Sequence, residues 1–265
     1  MKPFVVVKCG GATVDVLSDE FYAHIARLVQ QGKTPVIVHG GGRAVNEMLE
    51  MMHVESTFVD GLRRTTQDVL NVADMVFNGK VNPMICAKLQ EAGLKTIGLS
   101  GCDGPMIKAK LLDEEKLGLV GKAVQIDTAL IQQVTSIGLT PVISPLVAGE
   151  NGARLNMNAD TATAHYAESL GAEEVMFVTN VPGILQNGEV LPYATEADIK
   201  KMIADGTVYG GMIPKVKAAL QVLEGSSVQK VTIIDGESDQ AGSGGTTIVK
   251  SMEGEKNEQA PLPYL

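Results

Sequence analysis

The feature that most constrains this chain is its opening run. Phe4-Val5-Val6-Val7 is short, apolar and β-branched, it ends in Lys8, and Cys9, Gly10 and Gly11 follow at once. A run this short bounded by glycines reads as a buried strand, and the glycines let the backbone turn and approach a neighbour closely. The device recurs: Pro35-Val36-Ile37-Val38 leads into His39-Gly40-Gly41-Gly42, and Thr96-Ile97-Gly98-Leu99 into Ser100-Gly101-Cys102-Asp103-Gly104. Between the runs lie stretches of helical period. Ser18 caps one with Phe21, Ile25, Leu28 and Val29, and another after the triple glycine carries Val45, Met48, Leu49 and Met52 on one face. Strand, glycine loop and helix in that order form a βαβ building block.

The alternation continues to the end. A short strand and turn is expected at 57–61, a helix capped by Thr65 or Thr66 after it, and a helix over 80–92. A hairpin over 107–124 with an exposed tip at 113–116, a helix from Asp127 to Ile137 and a strand at 140–143 follow. Beyond a polar loop at 148–153 come a helix over 161–170, a strand at 174–178 and turn chemistry at 180–183. Thr195 with Asp198 reads as a capping box of a helix ending at Gly206, and a further helix spans 215–224. Late strands at 231–234 and 246–249 precede a polar, proline-bearing tail expected to be loose. The fold class is α/β, a three-layer αβα sandwich around a mostly parallel sheet. Two lobes, 1–172 and 173–265, meet near Leu170-Gly171-Ala172-Glu173.

Composition narrows the function. Hydrophobic residues make up 45% and aromatics 4%, with no tryptophan, so the core is aliphatic, as suits a parallel sheet covered by helices. A net charge of -9 with no basic block argues against nucleic acid as partner. Cys9, Cys86 and Cys102 are widely spaced and form no CxxC, which supports neither a zinc site nor a disulfide framework and fits a reducing cytoplasm. The N-terminus reads as the first strand and not as a signal peptide, and no apolar run approaches the roughly 20 residues of a membrane span.

No G-x-G-x-x-G follows a strand and no G-x-x-x-x-G-K-[ST] occurs, so neither a Rossmann dinucleotide site nor a P-loop is supported. The His39-Gly40-Gly41-Gly42 loop is similar to an oxyanion loop of α/β-hydrolases. The matching nucleophile elbow is only approached, by Gly98-Leu99-Ser100-Gly101-Cys102, which lacks its last glycine. What remains is a dispersed set. Lys8 ends one strand, Gly40 to Gly42 follow another, Arg63 sits in a Gly-Leu-Arg turn, and Asp160 and Lys215 each open a helix. Loops after parallel strands gather at one edge of the sheet. Two lysines, amides at a helix N-terminus and one carboxylate gathered there suit phosphoryl transfer, which depends on positioning and on stabilising charge. Each residue also has a plainer reading: Asp160 as a helix N-cap, Lys215 as a solvated first-turn lysine, Arg63 as a surface ion-pair partner. His39 reads as a structural partner of its loop, and Cys9 as inert core.

Six segments occur together in one order over nearly the whole chain: Lys8-Cys9-Gly10-Gly11, His39-Gly40-Gly41-Gly42, Asp60-Gly61-Leu62-Arg63, Leu155-Asn156-Met157-Asn158-Ala159-Asp160, Val178-Thr179-Asn180-Val181-Pro182-Gly183-Ile184 and Gly211-Met212-Ile213-Pro214-Lys215-Val216. With these the chain resembles the amino acid kinase family and, within it, the kinases acting on N-acetyl-L-glutamate. The resemblance implies ATP and Mg2+, with the γ-phosphoryl group passing to a side-chain carboxylate. A kinase for N-acetyl-2-aminoadipate, one methylene longer, and a non-catalytic binding module on the same fold are the alternatives. It implies that Lys8 and Lys215 neutralise charge on the moving group, that Asp160 holds both lysines, and that Gly10 and Gly11 lie near phosphate. Gly41 and Gly42 would donate backbone N–H groups, Arg63 would pair bidentately with the substrate's α-carboxylate, and Asn156 would hydrogen-bond the substrate. Thr179, Asn180, Val181, Pro182, Gly183 and Ile184, with Thr207, Val208, Tyr209 and Met212, would border the nucleotide. Asn180 stands where many relatives carry aspartate. Arginine-inhibited relatives carry an extra N-terminal helix that joins dimers into a hexamer. This chain starts at its first strand, so the resemblance implies a cytoplasmic homodimer insensitive to arginine.

Overall fold

The computed structural model describes residues 2–10, 13–186, 188–210, 212–238 and 244–250. Gly11, Gly211 and the tail from Ser251 lie outside the described residues. The chain opens with β1 (Phe4–Cys9), α1 (Asp19–Gln30), β2 (Thr34–His39) and α2 (Gly42–Met51). A small hairpin, β3 (Phe58–Val59) with β4 (Leu62–Arg63), precedes α3 (Gln67–Val76), which runs through a π-turn at Phe77–Val81 into α4 (Asn82–Glu91). Then come β5 (Thr96–Gly101), β6 (Ile107–Leu111), α5 (Glu114–Leu117), β7 (Gly121–Ile126), α6 (Ala129–Ser136), β8 (Thr140–Ala148), β9 (Arg154–Asn156) and α7 (Ala159–Leu170). The remainder is β10 (Glu174–Thr179), a hairpin of β11 (Leu185–Gln186) and β12 (Glu189–Val190), β13 (Tyr193–Thr195), α8 (Glu196–Ala204), α9 (Met212–Gly225), β14 (Lys230–Asp235) and β15 (Thr246–Val249).

The large sheet has the order β13-β15-β14-β10-β1-β2-β8-β6-β7, with β5 and β9 also on β8. Its centre is parallel: β1 pairs β2 on one side and β10 on the other, and β10 pairs β14. Alternation along β1 sorts the two faces. Val5, Val7 and Cys9 pack into a cluster with α1 to α4, whereas Phe4 and Val6 pack into the cluster beneath α6 to α9. Lys8 shares the parity of Val6, so its stem leaves the sheet on the side of α7 and α9. Helices on both faces give the expected three-layer α/β sandwich.

Most elements stand where the sequence placed them. Ser18 caps α1 by accepting from the Phe21 amide, Thr66 caps α3, and Thr195 and Asp198 form the capping box of α8. The hairpin tip differs. Asp113 accepts from the Lys116 amide and folds the tip into α5. Ser100 is no nucleophile elbow: its amide and hydroxyl both donate to Asp103. No helix among the described residues is long and apolar enough to cross a membrane.

Candidate active site

The chain order reverses at β1: its neighbour β2 follows directly, whereas β10 returns on its other side much later. Such a switch point opens a crevice outside the carboxyl ends of the strands. There a cleft of about 250 Å³ is lined by Lys8, Gly40 to Gly42, Arg63, Asn156, Asn158 and Asp160, with Phe58, Phe77 and Met157 among its apolar walls.

Lys8 rises from the end of β1 and its ammonium stands 2.9 Å from Asp160 Oδ1. Asp160 occupies the first turn of α7 but is not the cap. Asn158 is, accepting from the Asp160 and Thr161 amides at 2.8 and 3.1 Å. The capping role is thus taken two residues earlier, and the Asp160 carboxylate is left to face Lys8. Asn-x-Asp before a helix carried that signal in the sequence. A cation at a helix N-terminus is unfavourable, and Asp160 offsets it.

Lys215 lies in the first turn of α9, on the same face of the sheet. The expectation that Asp160 holds both lysines meets a different geometry. The Lys215 ammonium donates to Asn180 Oδ1 at 2.8 Å, and among the described residues no carboxylate comes within ion-pairing distance of it. Burial lowers its pKa, and the nearby Lys8 cation lowers it further against a smaller opposite pull from Glu237. The two lysines therefore feel each other across the crevice mouth.

The glycine loop is built around a buried histidine. His39 Nδ1 lies 2.7 Å from the Gly40 carbonyl, and Nε2 lies 3.3 Å from Asn82 Nδ2. Nδ1 therefore carries the proton and donates, and Nε2 accepts. Burial drives this imidazole down to about 4, with the Gly40 carbonyl opposing, so it is neutral at physiological pH and structural, as expected. Gly41 precedes α2 where a Cβ would stand 3.0 Å from the Phe77 ring; Gly42 opens the helix. The first amides of α2 have no helical carbonyl to donate to. Gly10 sits beside Lys8, a Cβ there lying 3.7 Å from the ammonium.

Arg63 enters from β4. Its Nη1 donates to Ser56 Oγ at 2.6 Å, and Nη2 donates to Asn46 Oδ1 at 2.7 Å and to the Gly42 carbonyl at 3.3 Å, with the guanidinium 4.6 Å from the Phe58 ring centre. A bidentate carboxylate takes one Nη2 hydrogen, so it must replace one of these bonds, of which the long one to Gly42 is the weaker. Asn46, Ser56 and Phe58 went unnoticed in the sequence; Asn46, one helical turn from Gly42, was the nearest to legible. Asn156 lines the cleft and donates to Thr65 Oγ1 at 3.1 Å.

Of the segments expected around a nucleotide, the one after β10 is tied to the first turn of α9 by the Lys215–Asn180 bond. Thr179 ends β10, and its hydroxyl lies 3.2 Å from the Val181 amide, which donates to it. Pro182 is exposed, and Gly183 has a φ of +148° with no room for a Cβ against Thr246 and Val190. Ile184 and Val208 turn their side chains into the core, so only their backbones remain for a ligand. Thr207 donates to Asp205, Tyr209 is largely exposed, and Met212 opens α9. Among the described residues no three His, Cys, Asp or Glu side chains stand together as a metal cage.

An open, mostly parallel sheet with two lysines and the first amides of α2 at its switch point suits a phosphorylated ligand. The chain belongs to the amino acid kinase family: the model of that family matches residues 3–235. The chain is 45% identical to an acetylglutamate kinase of Halalkalibacterium halodurans, over 89% of this chain and 90% of that one. It is 43% identical to an acetylglutamate kinase of Geobacillus thermodenitrificans, over 95% and 98% of the two chains. Among solved structures, smu.665 from Streptococcus mutans UA159 superposes with a TM-score of 0.79 at 31% identity, covering 94% of this chain and 99% of that one.

Proposed function

We infer that the protein transfers the γ-phosphoryl group of ATP to the γ-carboxylate of N-acetyl-L-glutamate, giving N-acetyl-L-glutamyl 5-phosphate, a step of arginine biosynthesis. The observation that carries this is the 43–45% identity with acetylglutamate kinases over nearly the whole of both chains. A carboxylate oxygen attacks the γ-phosphorus, the bond to the β–γ bridging oxygen breaks, and ADP leaves with its electron pair. The attacking carboxylate is already ionised at neutral pH, so no general base is needed. The work left to the protein is placement and charge.

Lys8 and Lys215 supply positive charge on either side of the moving group, and Asp160 fixes Lys8. Gly41 and Gly42 offer amides, with Gly10 leaving room beside Lys8. Arg63 takes the α-carboxylate once it gives up one protein acceptor, and Asn156 hydrogen-bonds the acceptor. Residues 1–172 form the acyl-amino-acid lobe. Residues 173–265 form the nucleotide lobe, through Thr179 to Ile184 and Thr207 to Met212. Mg2+ would arrive with the nucleotide, as MgATP. Among the described residues β5 pairs on one side only, with Ile97 and Leu99 half-exposed, which supports a homodimer. Three free cysteines support a cytoplasmic setting.

The test is ATP-dependent hydroxamate formation with N-acetyl-L-glutamate, with N-acetyl-L-2-aminoadipate, and with no acceptor. The expected result is acyl phosphate from the shorter acid, with kcat/KM ahead by roughly 10- to 200-fold, the range one methylene allows. Preference for the longer acid overturns the substrate, and no hydroxamate with either acid overturns the enzyme.

A further inference from the structure

The register of β1 with β2 gives the glycine loop two sides. Cys9 stands beside His39, and Lys8 beside Val38. Cys9 packs into the cluster with α1 to α4, and Val38 into the one beneath α6 to α9. Residues paired in register share a face of the sheet. The His39 ring therefore lies on the face away from the Lys8 stem, edge-on to Phe77. Its Nδ1 proton draws the Gly40 carbonyl to that side at 2.7 Å. The peptide bond between Gly40 and Gly41 is trans, and in a trans peptide the C=O and N–H point in opposite directions. The Gly41 N–H is thus turned to the side of Lys8 and Asp160. The Gly40 amide is already taken, donating to the Cys9 carbonyl at 2.9 Å, whereas among the described residues nothing accepts from the Gly41 amide.

Which ring nitrogen carries the proton is decided one step further back. Asn82 opens α4 and is almost wholly buried. Its Nδ2 faces the Val142 carbonyl at 2.8 Å, the Leu99 carbonyl at 3.2 Å and His39 Nε2 at 3.3 Å. Carbonyls only accept, so this end of the carboxamide is its NH2 group, with two hydrogens shared among three neighbours. Facing a donor, Nε2 has to be the bare nitrogen, and the proton stays on Nδ1. Gly98 makes room for the other end, since a Cβ there would stand 2.2 Å from Asn82 Oδ1.

We propose that His39, set in one tautomer by Asn82, is the positioning residue of the Gly41 amide: it holds the peptide between Gly40 and Gly41 with its carbonyl away from the cleft and its N–H facing the transferring phosphoryl group. This rests on the phosphoryl-transfer reading and goes past the role of a support for the loop. An amide fixed in place stabilises charge on the phosphoryl oxygens without having to reorganise as that charge moves. If the same peptide turns over, the loop presents a carbonyl oxygen to an anion and repels it.

An asparagine side chain puts its NH2 near where Nδ1 stood, and a glutamine side chain puts it near Nε2. The experiment compares wild type with His39→Asn and His39→Gln, each assayed below its own melting midpoint. Kinetic constants come from the hydroxamate assay. Calorimetry gives the affinity for MgADP with aluminium fluoride and N-acetyl-L-glutamate, which together imitate the transition state. His39→Gln is expected to lose about a hundredfold in kcat, the scale on which losing or misplacing one such donor acts, and about as much affinity for the aluminium fluoride complex. KM for both substrates stays within about twofold. His39→Asn recovers most of the lost kcat, although both variants lose stability. Equal loss of kcat in the two, or a rise in KM with kcat unchanged, makes His39 a structural support only and overturns the proposal.

Two measurements on wild type stand without the variants. By 15N NMR the His39 ring is expected to be protonated at Nδ1 and bare at Nε2. The Gly41 amide proton is expected to move downfield when the aluminium fluoride complex forms, while that of Gly40, tied to Cys9, stays. A proton on Nε2, or a Gly41 amide that does not move in that complex, overturns the proposal. If wild type transfers no phosphoryl group, the function fails separately, and the ring tautomer still decides whether Asn82 and His39 hold the loop.

Discussion

At the amino-terminal ends of the central strands, Glu174 of β10 is almost wholly buried and two lysines close on it. Lys230 stands at 2.8 Å and Lys33 at 3.6 Å, while the Thr232 hydroxyl donates at 2.5 Å. At the carboxyl-terminal ends of the same strands, two lysines again stand with one carboxylate. There Asp160 is 40% exposed and among the described residues pairs only with Lys8, and Lys215 goes to an amide. The ingredients match and the arrangements are opposite. At the amino end both lysines converge on one buried anion, with Lys33 also reaching the exposed Glu173 at 3.8 Å. At the carboxyl end they are kept apart and one is left uncompensated. The difference teaches that a lysine pair is made structural or available by where its carboxylate sits, not by how many charges are present. A buried anion demands partners, whereas a half-exposed anion shared with one cation leaves the other free to meet a ligand.

Two substitutions can break that contrast. Lys8→Met should lower kcat by about 10²–10³-fold, the scale of losing one group that stabilises transition-state charge. The melting temperature should hardly change, because Asp160 can turn to water. A large loss of stability with kcat preserved would reverse the assignment. At the other end, Lys230→Met leaves Glu174 buried with Lys33 as its more distant cation. It should cost roughly 3 kcal/mol in urea unfolding, the low end of what breaking a buried pair costs. Turnover of the folded fraction should match wild type. If Lys230→Met instead cuts kcat at unchanged stability, the amino end is not merely structural.

How much of this was legible follows from the length scale of each signal. The central strands and helices were, because buried runs ending in glycine and helical periods are local patterns of several residues. β9 and β11 to β13 were not, since strands of two or three residues are too short to show a period. The helical turn at the hairpin tip, 113–116, shows in the sequence only through Asp113, whose side chain caps it. In the site, Lys8, Asp160, Arg63 and Lys215 were legible one by one, because each lies just past a strand or opens a helix. Their partners were not. Which of the lysines takes Asp160 and which takes Asn180, 35 residues from Lys215, is decided by how α9 and the β10 loop pack. The holders of Arg63 likewise come from α2 and the β3 approach and meet it only in three dimensions.

His39 sharpens the comparison, because it is at the carboxyl end yet buried like Glu174. Where the buried carboxylate at the amino end is given cations, this base is given none. Its Nε2 faces the Asn82 amide, its Nδ1 proton goes to the Gly40 carbonyl, and burial holds it at about 4 against an ordinary 6.5. The unfolded chain therefore binds a proton between those values that the folded protein refuses. Stability from this group is complete above pH 6.5 and is lost as the pH falls towards 4. By pH 5 the loss attributable to His39 should reach about 2 kcal/mol. His39→Asn removes the titrating group while keeping a donor near Gly40, so it should be less stable than wild type at pH 7. That gap should narrow by the same amount at pH 5, read from urea midpoints of both proteins. His24 and His165, also lowered by burial, titrate in both and cancel in the difference. A gap independent of pH would mean that His39 accepts a proton in the folded state. The glycine loop would then carry a charge beside Lys8, and the separation of structural from available charge at this end would fail.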